Sequence, residues 1–110
     1  MDCIFCNIAS GNKESQVVYQ DEEFFAFNDM SPQAPVHILI IPKKHIQSLN
    51  HLDDTDMAIV SRMIKTAKQI ARDKGIYETG YRLVINTGNE GGQIIQHLHL
   101  HLLGGRKLKV

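Results

Sequence analysis

Histidine and leucine alternate over residues 97–102, and this alternation constrains the fold more than any other feature of the chain. A period of two is the period of a β-strand, so the pattern predicts a strand over 96–103 with His97, His99 and His101 on one face. The leucines between them then face the core. A half-buried strand needs the leucines but gains nothing from three imidazoles, so the histidines require a chemical explanation.

The rest of the pattern predicts an α+β fold with a mainly antiparallel sheet. The expected elements are a short helix that ends at Gly11, strands at 17–19, 24–27, 36–41 and 81–85, and one long helix at 53–74. The strand at 36–41 is almost entirely apolar, which predicts a central strand covered on both faces. An acidic or hydroxyl residue at 53–55 is expected to cap the long helix, and Gly75 to follow its end. Without repeats or linkers, residues 1–110 are expected to form one domain.

Composition disfavours several classes of protein. The formal net charge is zero, whereas proteins that wrap nucleic acid or bind membrane surfaces usually carry a basic excess. The chain has no apolar run long enough for a transmembrane helix and no signal-peptide pattern at its N-terminus. We therefore expect a cytoplasmic protein without nucleic-acid or membrane partners, whose two cysteines are reduced thiols or metal ligands.

Three explanations of the histidine row compete. Solvent-facing residues on an edge strand are disfavoured, because three of the six histidines fall within five positions. Two histidines spaced i, i+2 can share a zinc ion, but three along one face do not converge easily. A neutral imidazole is also a competent nucleophile near pH 7 and a good leaving group, which favours nucleophilic catalysis.

The loop before the histidines favours phosphorus as the electrophile. Gly88, Gly91 and Gly92 allow backbone N–H groups to approach an anion, and Asn86 and Gln93 add neutral donors. A plain hairpin turn would explain the glycines equally well, so the argument depends on the nearby histidines.

Cys3 and Cys6 have the C-x-x-C spacing of zinc ligands, which is half of a tetrahedral site. The alternative is a pair of small buried residues on a first helical turn. Of the other histidines, His37 is expected to be a structural hydrogen-bonding residue within its strand, and His51 a solvated residue before the long helix.

These residues together resemble the histidine-triad (HIT) superfamily, in its Hint-like, nucleotide-binding branch. The signature His-x-His-x-His followed by apolar residues matches 97–103, and the stretches 28–46, 80–86, 91–93 and 103–106 are also similar. The resemblance therefore covers nearly the whole chain. It implies a five-stranded antiparallel sheet with one long helix and a short N-terminal helix, paired in a homodimer with a ten-stranded sheet.

The resemblance also implies a hydrolase that cleaves purine nucleoside 5′-phosphoramidates or related nucleotide conjugates at the α-phosphorus. His97, His99 and His101 are then the catalytic set, with His99 as the nucleophile that forms a nucleotidyl-histidine and His101 hydrogen-bonded to the phosphate. A free imidazole nucleophile should lose activity on the acid side of neutrality. The alternatives are a dinucleoside polyphosphate hydrolase and a nucleotide-binding or zinc-stabilised adaptor with weak catalysis.

The implied substrate contacts surround this set. They are Asp29 on the ribose hydroxyls, Ile8, Phe27 and Met30 around the base, Asn28 beside them, and Asn86, Gly92, Gln93 and Ile94 near the phosphate. An acceptor-only carboxylate suits a 2′,3′-diol, although a Ser-Pro turn could use the same acid. The family usually has serine or threonine where Ile94 stands, so the leaving group is open. Some members carry a longer tail beyond the position of Val110 that shapes substrate access.

The cysteine pair is similar to that of galactose-1-phosphate uridylyltransferases and some bacterial histidine-triad proteins. There the other two metal ligands are a histidine after a Pro-Lys strand end and the first histidine of the motif. The resemblance thus implies a structural zinc ion held by Cys3, Cys6, His45 and His97, with no organic cofactor.

Overall fold

The computed structural model describes residues 3–11 and 15–109. The elements are α1 (Ile4–Ala9), β1 (Val17–Gln20), β2 (Phe24–Asn28), β3 (Val36–Pro42), a 3₁₀ turn at Leu49–His51, α2 (Ala58–Asp73), β4 (Tyr81–Val84) and β5 (Leu100–Gly104). In these ranges the strands form one antiparallel sheet in the order β1-β2-β3-β5-β4. The expected five-stranded sheet with one long and one short helix is confirmed.

The central strand β3 is covered on both faces, as its apolar sequence predicted. Ile38 and Ile40 pack into the main core beneath α2. Leu39 and Ile41 point the other way, into a second apolar cluster with α1. Since side chains alternate along a strand, one apolar run supplies both layers, and the sheet lies between the two helices.

The long helix α2 begins later than expected. Asp53 accepts hydrogen bonds from Thr55 Oγ1 and the backbone N–H of Asp56, and so closes a separate turn before the helix. The N-cap is Met57, which makes no side-chain capping bond. The predicted start and cap were therefore wrong, because the acid satisfies donors of its own turn. The C-terminus is as expected, since Gly75 follows it with φ +75°.

The strand β5 is also shorter than the alternation predicted. Residues 97–99 precede it, and the backbone N–H of Leu98 donates to the carbonyl of Ile46 at 2.6 Å instead of to a ladder partner. The alternation still holds upstream, because Leu98 lies in the core beneath α2 with Leu100 and Leu102. With β5 between β3 and β4, the solvent-facing edge-strand explanation of the histidines is wrong.

The helices leave no candidate for a membrane span. Over the described ranges, none is long and apolar enough to cross a bilayer. The buried side chains of α2 form one face, which is the pattern of a helix packed on a sheet.

Candidate active site and metal centre

The three histidines of the triad have different partners. His97 lies against the cysteines, with its Nδ1 3.3 Å from Cys3 Sγ. His99 packs edge-on against Phe5, with ring centroids 5.2 Å apart. The His101 ring lies 5.0 Å from His99 and 5.2 Å from His37. One sequence pattern thus contributes to two adjoining sites.

The predicted zinc ligands converge on one point. One ligand atom each from Cys3, Cys6, His45 and His97 lies within 4.8 Å of all the others. Cys6 Sγ is 3.3 Å from His45 Nδ1, and the Nδ1 atoms of His45 and His97 are 3.2 Å apart. Ligands bound to a tetrahedral zinc at ~2.0–2.3 Å lie about 3.3–3.8 Å from one another. The donor set and its spacing therefore fit zinc.

The tautomer of His97 also fits a metal ligand. Its Nε2 lies 2.8 Å from the carbonyl oxygen of Pro42, which can only accept, so Nε2 carries the hydrogen and the Nδ1 lone pair faces the cysteines. Burial lowers the pKa of His97, with smaller contributions from His45 and His99. Burial also raises the pKa of Cys6 to about 11, aided by its hydrogen bond with Cys3. A bound cation would reverse this preference and stabilise the thiolate.

His99 has the opposite tautomer, which suits a nucleophile. Its Nδ1 lies 2.7 Å from the carbonyl oxygen of His97, so Nδ1 carries the hydrogen and Nε2 keeps its lone pair. Burial lowers the pKa of His99, against raising contributions from the His97 carbonyl and Asp29. The ring is therefore neutral at pH 7, with one available lone pair.

His101 is the last member of a hydrogen-bond chain. The backbone N–H of Gln33 donates to His37 Nδ1 at 3.1 Å, which places the hydrogen of His37 on Nε2. That Nε2 lies 3.0 Å from His101 Nδ1 and 3.5 Å from Asp29 Oδ2. His101 accepts at Nδ1, so its own Nε2 carries a hydrogen that it can donate. Burial lowers the pKa of His101 to about 4, and His99 and His37 add to the effect.

The hydrogen-bond chain from Gln33 through His37 to His101 excludes a second metal site among Asp29, His37 and His101. One ligand atom from each lies within 4.8 Å of the others, which is close enough for a shared cation. However, Nε2 of His37 carries a hydrogen because Nδ1 already accepts from Gln33, and a protonated nitrogen has no lone pair for a metal. The expected structural role of His37 is confirmed. Its bond to His101 was missed, and it becomes visible only once the register places the two residues on neighbouring strands.

A cavity of about 750 Å³ lies beside the triad, between α1 and the end of β2. Its lining includes five of the predicted substrate contacts: Ile8, Phe27, Asn28, Asp29 and Met30. It also includes residues that sequence reasoning missed, chiefly Phe5 and Ile4 of α1, Gln16, Leu39 and Ile95. Phe5 is the most informative of these, because it also packs against His99 and so joins the cavity to the triad.

Hydrogen bonds of the Gln93 and Asn86 side-chain amides fix the glycine-rich loop. Gln93 Nε2 donates to the carbonyls of Gln47 and Ile95, at 2.7 and 3.1 Å, and its Oε1 accepts from the backbone N–H of Gly88. Both amide hydrogens are used, so Gln93 braces the loop. The side-chain amide of Asn86 donates one hydrogen to the carbonyl of Gly91, and its second hydrogen makes no bond to the described residues.

The remaining two loop residues differ in backbone and exposure. Gly92 has φ +84°, a conformation that favours glycine. Ile94 is 86% exposed, and its side chain has no hydrogen-bond donor. His51, outside the site, is exposed as expected and bonds to Ser48.

Comparison with known proteins gives a consistent result. A family model described as HIT domain matches residues 10–108. The chain is 48% identical over 107 residues to the purine nucleoside phosphoramidase of Escherichia coli (strain K12), covering 97% of this chain and 90% of that protein. It is 51% identical over 105 residues to an uncharacterized HIT-like protein of Chlamydia muridarum, covering 96% and 82%.

Solved structures are similar as well. A histidine triad protein from Clostridium difficile superposes with a TM-score of 0.98 at 49% identity, covering 100% of this chain and 96% of that one. A zinc-bound histidine triad family protein from Mycobacterium smegmatis gives 0.82 at 32% identity, covering 96% and 76%.

Proposed function

Because the chain belongs to the histidine-triad (HIT) family, we propose that it hydrolyses purine nucleoside 5′-phosphoramidates or related nucleotide conjugates at the α-phosphorus. The observation that carries the proposal is the 2.7 Å contact that leaves a lone pair on His99 Nε2. A relative at 48% identity is named purine nucleoside phosphoramidase, which supports the same reaction class.

The cavity suits a nucleoside. The aromatic and aliphatic side chains of Phe5, Ile8 and Phe27 offer an apolar surface for a purine. Asp29 lies at the edge, where Oδ1 accepts from the backbone N–H of Ser31, so the carboxylate is held in one orientation. A carboxylate can accept from both hydroxyls of a ribose, which makes Asp29 the ribose contact.

The reaction then divides between two neutral imidazoles. His99 Nε2 attacks the α-phosphorus and forms a P–N bond, while the bond to the amine breaks and the amine leaves with its electron pair and takes a proton from water. His101 donates its Nε2 hydrogen to a phosphate oxygen, where negative charge develops. Water then cleaves the nucleotidyl-histidine and releases the nucleotide and free His99.

The same proposal includes a structural zinc ion. Four protein ligands make a closed site with no open position for substrate, so the ion would cross-link α1 to the chain around His45 and His97. The fit of the donor set supports it, and so does the zinc-bound relative. In the reaction itself the metal has no part.

Adenosine 5′-phosphoramidate tests the function directly. The wild-type protein should release AMP, and His99→Ala should lose essentially all turnover because the attacking nitrogen is gone, while AMP still binds. A quench with denaturant at alkaline pH, which preserves the acid-labile P–N bond, should trap a chain heavier by one nucleotidyl group, visible by mass spectrometry. His51→Ala is the matched control, since His51 lies outside the site, and its rate should be unchanged. Turnover by His99→Ala close to the wild-type rate would exclude the mechanism.

A nucleotide-binding adaptor with weak catalysis is the second candidate. The exposed Ile94, where a hydroxyl donor is expected, is the observation that favours it. In that case AMP should bind, but neither the phosphoramidate nor its alkylamine analogues should turn over faster than His99→Ala.

A further inference from the structure

The short helix α1 takes part in two sites at once. Cys3 is its N-cap and Cys6 lies within its first turns, and both supply sulfur to the metal cluster. On the same helix, Ile4, Phe5 and Ile8 line the cavity beside the triad. A shift of this helix would therefore change both sites together.

Besides apolar packing, α1 is attached to the rest of the described chain only through the metal cluster. Among the described residues, every hydrogen bond between segment 3–11 and the rest of the chain runs through a cysteine sulfur, to His45 or His97. The other bonds of the segment are internal to it. A six-residue helix is unstable by itself, so its position depends on these sulfur contacts and on the packing of Phe5 and Ile8.

The packing leads from the cluster to the triad and the cavity. The Phe5 ring lies 6.0 Å from the His97 ring, 5.2 Å from His99 and 5.5 Å from Phe27. The carbonyl of His97 also fixes the tautomer of His99. Whatever fixes the His97 ring and α1 thus fixes the wall of the cavity and the nucleophile beside it.

We propose that the Cys3–Cys6–His45–His97 centre is an effector site for nucleotide binding: zinc there fixes α1 and so raises the affinity of the cavity for a purine nucleotide. This inference rests on the proposed function, because it needs both the metal and the nucleotide to bind. Coupling between two sites is reciprocal, so bound nucleotide must strengthen zinc binding by the same factor.

Titration of AMP into zinc-loaded and chelator-stripped protein, followed by calorimetry, tests the coupling. The stripped protein should bind AMP about tenfold more weakly, within the usual range of coupling between sites. Conversely, saturating AMP should reduce the transfer of zinc to a competing chelator by the same factor. Equal AMP affinities in the two forms would overturn the coupling and leave the hydrolase proposal intact. Failure of AMP to bind either form would overturn the proposed function itself.

Hydrogen exchange separates a local effect from a global one. In the stripped protein, amides of α1 should exchange faster, while those of α2 keep their protection. Loss of protection throughout α2 would overturn the proposal, because zinc would then hold the whole fold and not one helix. A zinc content below about a tenth of an equivalent per chain, in protein purified without a histidine tag, would also overturn it.

Two variants complete the design. Cys6→Ser, in the presence of zinc, should bind AMP like the stripped protein. Asp29→Asn is the matched control: it weakens AMP through the ribose contact, outside α1. Its affinities with and without zinc should therefore keep the same ratio as in the wild type. A ratio near one in Asp29→Asn would show that the coupling runs through the ribose contact and would contradict the role of α1.

Discussion

His99 and His101 stand two residues apart and carry their hydrogens on opposite ring nitrogens. A carbonyl oxygen takes the Nδ1 hydrogen of His99, whereas His101 accepts at Nδ1 from His37. The first ring therefore offers a lone pair at Nε2 and the second a hydrogen. Substrate chemistry needs one of each. The partner of His99 is a carbonyl within the motif, whereas the partner of His101 is His37, on β3 and outside the motif.

Ile94 is the residue at which the leaving group can be tested. Ile94→Ser would restore a hydroxyl, and we expect about tenfold faster turnover with alkylamine leaving groups, which need a proton, and little change with acidic aryl leaving groups. A leaving-group series on both proteins measures this as a change in the slope of log kcat. Ile94→Ala is the control, because it shortens the same exposed side chain without adding a hydroxyl. A uniform increase in rate across the series would contradict proton donation.

Protonation of His101 should make stability depend on pH. Its pKa is about 4 in the folded protein against 6.5 when unperturbed, so the stabilisation is complete above pH 6.5 and is lost as the pH falls towards 4. The groups that face it are His99, His37 and Asp29. We expect about 1–2 kcal/mol once solvent screening of a partly buried ring is allowed for.

Urea unfolding of wild type and His101→Gln between pH 7 and 4.5 measures this contribution. The variant should lose less stability over the range, and the difference isolates His101 from other titrating groups. Parallel pH profiles for the two proteins would show that His101 does not contribute.

At the scale of elements, the sequence predicted that each helix and strand exists more accurately than it predicted where each one begins and ends. Alternation and helical spacing arise from which side faces the core, and this explains why β5 and α2 were found. Where a ladder or helix begins depends on competition for single N–H groups. The N–H of Leu98 donates to the carbonyl of Ile46, and the N–H of Asp56 donates to the Asp53 carboxylate. Both β5 and α2 therefore begin later than predicted.

In the candidate site, too, some features could be predicted from the sequence and others could not. Cys3, Cys6, His45 and His97 could be predicted because ligand spacing and family resemblance specify residue types. The bond between His37 and His101 and the double role of Phe5 could not, because they arise where separate strands and a helix meet. The bracing role of Gln93 likewise depends on Gln47, far away in sequence.

The hydrogen bonds of Gln93 should contribute measurably to the stability of the fold. Gln93→Ala removes three hydrogen bonds and leaves the carbonyl of Gln47 and the N–H of Gly88 without their partner, so we expect a loss of about 1–3 kcal/mol in the free energy of unfolding. Urea denaturation measures it. Gln96→Ala is the control, since its amide is exposed and its bonds are 3.4–3.5 Å long. Equal losses in the two variants would contradict the bracing role.

At the scale of the whole molecule, the two edges of the sheet differ. β1 pairs with β2 through a register shift between Val17 and Tyr19, and such irregularity discourages a further strand from adding. β4 pairs with β5 in unbroken register, and in the described part of the chain no strand covers its other side. A regular open edge is the place where a second copy could extend the sheet to ten strands.

We therefore expect the homodimer to form through β4. Light scattering after gel filtration should give twice the mass of one chain, falling towards one chain on dilution. Hydrogen exchange then identifies the edge: amides of β4 should lose protection on dilution, whereas those of β1 should exchange equally at all concentrations, because the bulged edge stays outside the interface. A mass of one chain at high concentration would exclude the dimer, and dilution-dependent protection in β1 instead of β4 would place the second copy on the opposite edge.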